Sequence, residues 1–332
     1  MMRDKKLLGY VALFAGIAVL PALGAYPFFV MTAMCFALFA CAFNLLIGFT
    51  GLLSFGHAAF LGAGAYFGGY TMKAWGLPPL LGLAVGVSAA ALIGLLFGLL
   101  AIRRSGIYFS MITLALAQML YFFFLQAPFT GGEDGLSVPR GHLFGLDMGN
   151  DLVLYYVVLA IFAATFWLIY RTVHSPFGQV LTSIRENEAR ATSLGYDVAR
   201  FKLLAFVLSA ALAGLAGVLK SWVVGSATLT DAIWTTSGAV ILMTLVGGMG
   251  TLVGPMVGAL VIIALENKIG ELGKALAALT GIDWFNGLGE SVSLVTGLIF
   301  IACVLAFRRG LVGEAVALRD RLKNKRQPAS PT

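Results

Sequence analysis

Charge is what this chain has least of. Only 11% of its 332 residues are Asp, Glu, Lys or Arg, where a soluble domain carries about 25%. So few charges cannot cover a water-facing surface, which excludes a soluble globular fold. They are also segregated: none lies between Lys6 and Lys73, Lys73 and Arg103, Arg104 and Glu133, Asp151 and Arg171, Asp231 and Glu266, or Glu290 and Arg308. Cysteine is scarce too. Cys35, Cys41 and Cys303 sit in apolar runs without metal-ligand spacing, and they read as small buried hydrophobes. No ionisable residue stands deep in an apolar run, where it would cost about 2.5–3.5 kcal/mol on insertion scales and would usually serve ion coupling. A phosphate loop is missing as well, since Gly273-Lys274 is followed by Ala275. No His-Glu-x-x-His, paired-Cys or Gly-x-Ser-x-Gly motif occurs. The chain has neither an ion-coupled engine nor a nucleotide site of its own, and nothing marks it as a membrane enzyme.

What remains is apolar length. A bilayer crossing takes roughly 20 apolar residues, and spans are expected near 7–24, 28–48, 52–72, 80–101, 105–125, 151–170, 203–223, 237–250, 252–266 and 290–308. The class is all-α, a polytopic membrane protein with a single transmembrane domain over 1–332. The first span has a basic start like a signal peptide, but a second span follows at once, so it reads as uncleaved. The net charge of +7 does not point to nucleic acid, because the cations gather in particular loops. Placing the N-terminus, Arg103-Arg104, the 171–202 loop and the tail from Arg308 in the cytoplasm puts all but five of the 22 Lys and Arg inside. Both termini inside require an even number of crossings, so 237–266 is expected to cross twice, giving ten. The 126–150 loop then faces outward, and 266–290 forms a second outer segment. Ten crossings divide into halves at 7–125 and 151–308, each with a glycine-rich break (48–69 and 247–258), a pattern of inverted repeats around a solute path.

The 171–202 loop is a polar island. Ser175-Pro176 reads as a helix cap and first helical residue, and Gly195 as its stop. Leu181, Ile184, Glu188, Ala191 and Gly195 recur along one side of a helix. Small Ala191 and Gly195 allow a partner close approach, with charge from Arg185, Glu186, Glu188 and Arg190 around them. The bland alternative is a solvated loop helix. In the stretch from Gly48 through Gly51, Gly56 and Gly62, the polar Thr50, Ser54 and His57 lie among glycines. Irregular backbone at membrane depth persists only where protein buries it or water reaches it. These three, with Asn44 and Gln118, are the translocation-path candidates, and close helix packing is the alternative. Gly247, Gly248, Gly250 and Gly254 form a third cluster, in which a turn followed by tight packing accounts for the glycines and Pro255 weakens any helix.

Taken in order, Gly51-Leu52-Leu53-Ser54-Phe55-Gly56-His57-Ala58-Ala59-Phe60, then Arg185-Glu186-Asn187-Glu188-Ala189-Arg190-Ala191 through Gly195, then Arg200-Phe201-Lys202-Leu203-Leu204-Ala205-Phe206, then Gly247-Gly248-Met249-Gly250-Thr251 resemble the LivM-type permeases of branched-chain amino acid ABC transporters, in the hydrophobic amino acid uptake family. The resemblance runs over about residues 28–308. It implies a non-enzymatic subunit of the bacterial inner membrane, without cofactors. Its implied partners are a related LivH-type permease, two ABC ATPase subunits and a periplasmic solute-binding protein that delivers an amino-acid solute. It assigns Arg185, Glu186, Asn187, Glu188, Arg190, Ala191 and Gly195 to ATPase coupling. The importer pattern Glu-Ala-Ala-x3-Gly is only partly kept: Ala191-x3-Gly195 fits, but Glu188 stands one position early. Permeases for urea or short amides, and a self-contained channel or secondary carrier, are the alternatives.

Overall fold

The computed structural model describes residues 2–143, 145–280, 297–298, 301 and 310–314. Lipid offers the backbone no hydrogen-bond partner, so long apolar runs satisfy their amides as helices. In order these are α1 Met2–Val19, α2 Pro27–Thr50, α3 His57–Ala74, α4 Pro79–Ala101, α5 Ile107–Gln126, α6 Asp151–Val173, α7 Pro176–Glu186, α8 Glu188–Ser193, α9 Val198–Val224, α10 Trp234–Gly247 and α11 Gly254–Thr280. Five of them, α2, α4, α5, α6 and α9, are long and apolar enough to cross a membrane. Prolines open α2, α4 and α7, where a missing amide hydrogen does no harm. Asn150, Ser175, Asn187 and Asp197 cap α6, α7, α8 and α9 with their side chains.

Several expectations shift. The 52–72 span is shorter: its helix starts only at His57, and 51–56 is irregular. The 237–266 stretch is two helices, as expected, but Pro255 sits in the first turn of α11 rather than interrupting it. A proline there fits the start of a helix as well as it breaks the middle of one. The helix α11 also runs on to Thr280, without a break between the expected 252–266 span and the segment expected to lie outside. The 290–308 span and the 309–332 tail lie almost wholly outside the described residues. The 126–150 loop holds short strands that an all-α reading does not foresee. β1 (Leu136–Ser137) pairs antiparallel with β4 (Ser226–Ala227), and β2 (His142–Leu143) with β3 (Leu146–Asp147).

α2 is the axis of the bundle, packed against α6, α9, α10 and α11. Beside it α3, α4 and α9 meet through small residues. On α4 the buried face carries Gly82, Gly86, Ala90, Gly94 and Gly98, one per turn, while Leu92, Leu96, Leu99 and Leu100 point away. This reverses the soluble pattern, because lipid tails solvate leucine and small residues let backbones approach. The approach is close: a methyl group at Gly64 would overlap the backbone of Gly214, and one at Gly217 would overlap the carbonyl of Leu61. Gly86 lies in the same contact, where a methyl group would fall 2.7 Å from the carbonyl oxygen of Gly64.

Two helix breaks meet inside the bundle. After α2, the chain 51–56 turns back, and its backbone is held by α5: Ser110 Oγ donates to Leu53 O at 2.7 Å, and Phe55 N donates to Thr113 Oγ1 at 3.2 Å. After α9, β4 is tied to β1, and the chain then descends until Ala232 lies against Gly62, where an added Cβ would stand 2.7 Å from the Ala232 methyl. Gly62 is about 18 Å along α3 from Ala74 at 1.5 Å per residue. The first turns of α3 and α10 then join, Ala58 N donating to Ser237 Oγ at 2.9 Å. Both helices therefore begin at depth.

Candidate functional site

The polar island folds as two helices, not one. Ser175 Oγ accepts from Gly178 N at 3.4 Å, and α7 buries Gly178, Leu181 and Ile184. Asn187 interrupts with extended backbone at φ −157° and uses its Oδ1 to accept from Arg190 N at 2.9 Å, which restarts the chain as α8. Asparagine competes for local backbone groups in this way, favouring caps over helix interiors. Ile184, Ala191 and Val198 close a small core of their own with Val180 and Phe201. Gly195 takes φ +87° and stops α8. Lys202, 7% exposed in its side chain, pairs with Glu188 at 2.7 Å and fastens α8 to α9.

Arg185 ties this surface element to the membrane helices. Its Nη1 donates to the carbonyl of Gly48 near the end of α2. The same side chain lies against Gly51 and Gly250, where added Cβ atoms would stand 3.3 Å from Cγ and 3.1 Å from Nη1. Gly51, at φ +76°, turns the chain out of α2 there. One turn earlier on α2, Asn44 spans the gap to the α10–α11 turn: Nδ2 donates to Thr251 O at 2.8 Å, and Gly250 N donates to Oδ1 at 2.9 Å. The three stretches singled out in the sequence thus converge on one junction of Gly48, Gly51, Asn44, Arg185 and Gly250. Packing in the turn is close: a methyl group at Gly247 would overlap the Gly254 carbonyl, and one at Gly254 would fall 2.5 Å from Gly248 O. Among the island residues, Glu186, Glu188, Arg190 and Gly195 are exposed, flanked by Leu194 (69% exposed) and Tyr196 (41%). The last two are apolar surface that charge-based reading passes over.

Apart from Asn44, the polar path candidates do not gather there. Thr50 Oγ1 donates back to Leu46 O within α2, and Ser54 Oγ accepts from Gly56 N at 3.1 Å. His57 is fully buried at the first turn of α3, among the rings of Phe43, Phe60 and Phe206. Ser209 Oγ gives its hydrogen to Ala42 O at 2.5 Å, so His57 Nε2 donates to Ser209 Oγ at 2.8 Å. His57 Nδ1, Tyr66 OH and Gln118 Nε2 are buried without a hydrogen-bond partner among the described residues. Near the far end of α9, Lys220 pairs with Asp231, which is 2% exposed, an internal charge pair that the sequence reading misses. Lys220 stands only four residues before α9 ends, and the sequence reading counts it among the five cations outside. At that end, Arg140 donates from Nε to Trp222 O at 3.2 Å and from Nη2 to Val223 O at 3.0 Å, and it pairs with Asp151 at 2.8 Å.

Comparison with known proteins fits this arrangement. Residues 25–307 match the family described as branched-chain amino acid transport system / permease component. The high-affinity branched-chain amino acid transport system permease protein LivM of Salmonella typhimurium is 29% identical over 278 residues, covering 75% of this chain and 64% of that protein. The protein named "Probable branched-chain amino acid transport permease protein LivH" of Methanocaldococcus jannaschii is 27% identical over 277 residues, 80% of this chain and 84% of that one. The ribose import permease protein RbsC of Bacillus subtilis is 30% identical over 180 residues, about half of each chain. The chain thus spans less than two thirds of the length of the LivM relatives it matches. No solved structure matches. With the match running through every element from α2 to α11, this chain belongs to the branched-chain amino acid transport permease family.

Proposed function

We propose that this chain is the transmembrane permease subunit of an ATP-driven importer for branched-chain or similar amino acids. Two ATPase subunits bind at α7–α8, a related LivH-type permease completes the pathway, and a periplasmic binding protein delivers the solute. ATP hydrolysis belongs to those separate subunits. The chain sits in the bacterial inner membrane with both termini and the polar island in the cytoplasm. The observation that carries this reading is the Arg185 junction. An exposed pair of short helices is bonded through Arg185 to the end of α2 and packed against the α10–α11 turn, which Asn44 in turn bonds to α2, so force applied to α7–α8 reaches three membrane helices. A simple pore has no need of such a connection.

Ten crossings in two inverted halves fit the same reading. The run α2, break, α3 and the run α9, break, α10 have the same order but opposite direction, and their breaks come together at Ala58 and Ser237. Broken helices that start at depth in both halves are the usual setting of a transporter's solute path. On this equivalence the second-half break is 225–233, not 247–258.

The docking role is tested with Gly195→Trp and Gly195→Asn in the complete transporter, reconstituted in vesicles. Asparagine tolerates positive φ, so it preserves the turn, while tryptophan obstructs the surface. Gly195→Trp is expected to lower solute uptake and ATPase stimulation at least tenfold, with Gly195→Asn near wild type. Unchanged uptake and stimulation in Gly195→Trp would overturn the docking role. Uphill solute movement by this chain alone would overturn the importer reading itself.

A further inference from the structure

The pair Lys220–Asp231 lies where the descending chain meets α3 and α9. A side chain on a helix leans toward its N-terminus, and on α9 that direction leads from the loop face into the bundle. The Lys220 ammonium accordingly stands 5.5 Å from the ring centre of Phe36, nine residues inside α2. Asp231 is 2% exposed, and its second carboxylate oxygen accepts from Thr228 N and Oγ1, each at 3.4 Å. Tyr66, fully buried on α3 one turn beyond Gly62 and so on the helix face that meets Ala232, has a hydroxyl without a partner among the described residues. The N-terminal end of α10, the positive end of its dipole, opens three residues after Asp231.

Stability does not account for this arrangement. Taking both charges out of water offsets most of their attraction, so a buried pair contributes little that apolar packing would not. Ionisable groups held inside a membrane bundle instead mark pathways, and solute sites form beside discontinuous helices. We propose that Lys220 and Asp231 form a binding site for a zwitterion. The solute's carboxylate replaces Asp231 at the Lys220 ammonium, its ammonium replaces Lys220 at the Asp231 carboxylate, and Tyr66 OH supplies a further hydrogen bond. Each buried charge then exchanges one opposite charge for another, and none is left uncompensated. This inference rests on the amino-acid reading above and names the groups that would enforce it.

The test uses the assembled transporter in nanodiscs without its binding protein, so that selectivity measured is the membrane domain's own. Saturation-transfer NMR reads contact with leucine, with leucinamide (no carboxylate) and with 4-methylpentanoate (no ammonium). In the wild type the leucine signal is expected to exceed both analogues at least fivefold. Lys220→Met/Asp231→Asn removes both charges together, leaving none unpaired, and is expected to erase that preference. Tyr66→Phe keeps the ring and is expected to weaken the leucine signal at least twofold, which provides a second reading if the double variant does not assemble. A wild-type preference that survives in whichever of the two variants assemble would overturn the site. Equal signals for all three compounds in a wild type that takes up leucine would overturn the site and leave the importer reading standing. A wild type that takes up no leucine with its binding protein present would overturn both.

Discussion

Asn44 shows how a single side chain can carry a long-range constraint. Its amide satisfies a donor and an acceptor on the turn at Gly250 and Thr251, more than 200 residues away in sequence. Asn44→Ala leaves both backbone groups of this partly buried turn without their partner, at up to about 1–3 kcal/mol for each orphan. The expected result is a clear fall in the apparent Tm of the purified protein in detergent, with expression retained. Arg185→Lys tests the neighbouring bond differently. Lysine keeps the charge but loses the planar, forked donor set, so uptake by the whole transporter is expected to fall at least threefold while Tm moves little. Sequence alone marked Asn44 as a rare polar residue in an apolar run and Arg185 as part of a charged island. It did not pair them with their targets, because both targets are backbone groups, and any residue type supplies a carbonyl. Lys220 was hidden for a related reason: proximity to a helix end looks the same whether the side chain turns outward to water or back into the bundle.

Helix packing in this protein depends on absent side chains. Gly217 on α9 faces the Leu61 carbonyl with no room for a methyl group, whereas Gly238 on α10 has nothing within 4 Å of its added Cβ. Gly217→Ala is therefore expected to reduce folded yield and Tm sharply. Gly238→Ala, in an open helical position, is expected to be neutral or to gain about 0.5–1 kcal/mol from the better helix former. Thermal scans of the two variants side by side check the contrast, and equal effects would sink it. Helix existence was readable from apolar length, and the caps Ser175 and Asp197 from their residue types. The single-turn repeat of small residues on α4 was equally visible but is overlooked when apolar patterning is sought, since all its members count as apolar. The split of the island at Asn187 was harder to see. The residues on either side keep helical spacing, and only the backbone conformation of Asn187 reveals that the two pieces are separately capped.

The whole molecule has two distinct faces, one carrying α7 and α8, the other the 127–150 segment with β1 paired to β4. With the native cysteines Cys35 and Cys41 buried and Cys303 replaced by serine, an impermeant maleimide on intact cells is expected to label Glu133→Cys. Ser193→Cys is expected to react only after permeabilisation. The opposite pattern would reverse the orientation. That orientation is what the charge distribution predicts, whereas nothing in the sequence foretells the β1–β4 pairing, which joins two-residue strands 90 positions apart. Those strands have a mechanical corollary. Arg140 pins the last carbonyls of α9 to the start of α6, while Lys202 and Glu188 grip the opposite end of the same helix. α9 is about 40 Å long at 1.5 Å per residue, so with one end moored, a tilt of about 5° would swing the other through about 3.5 Å. Displacement is then graded along the rod: largest beside α7 and α8, smaller at Ser209 and His57, and almost nil at the mooring.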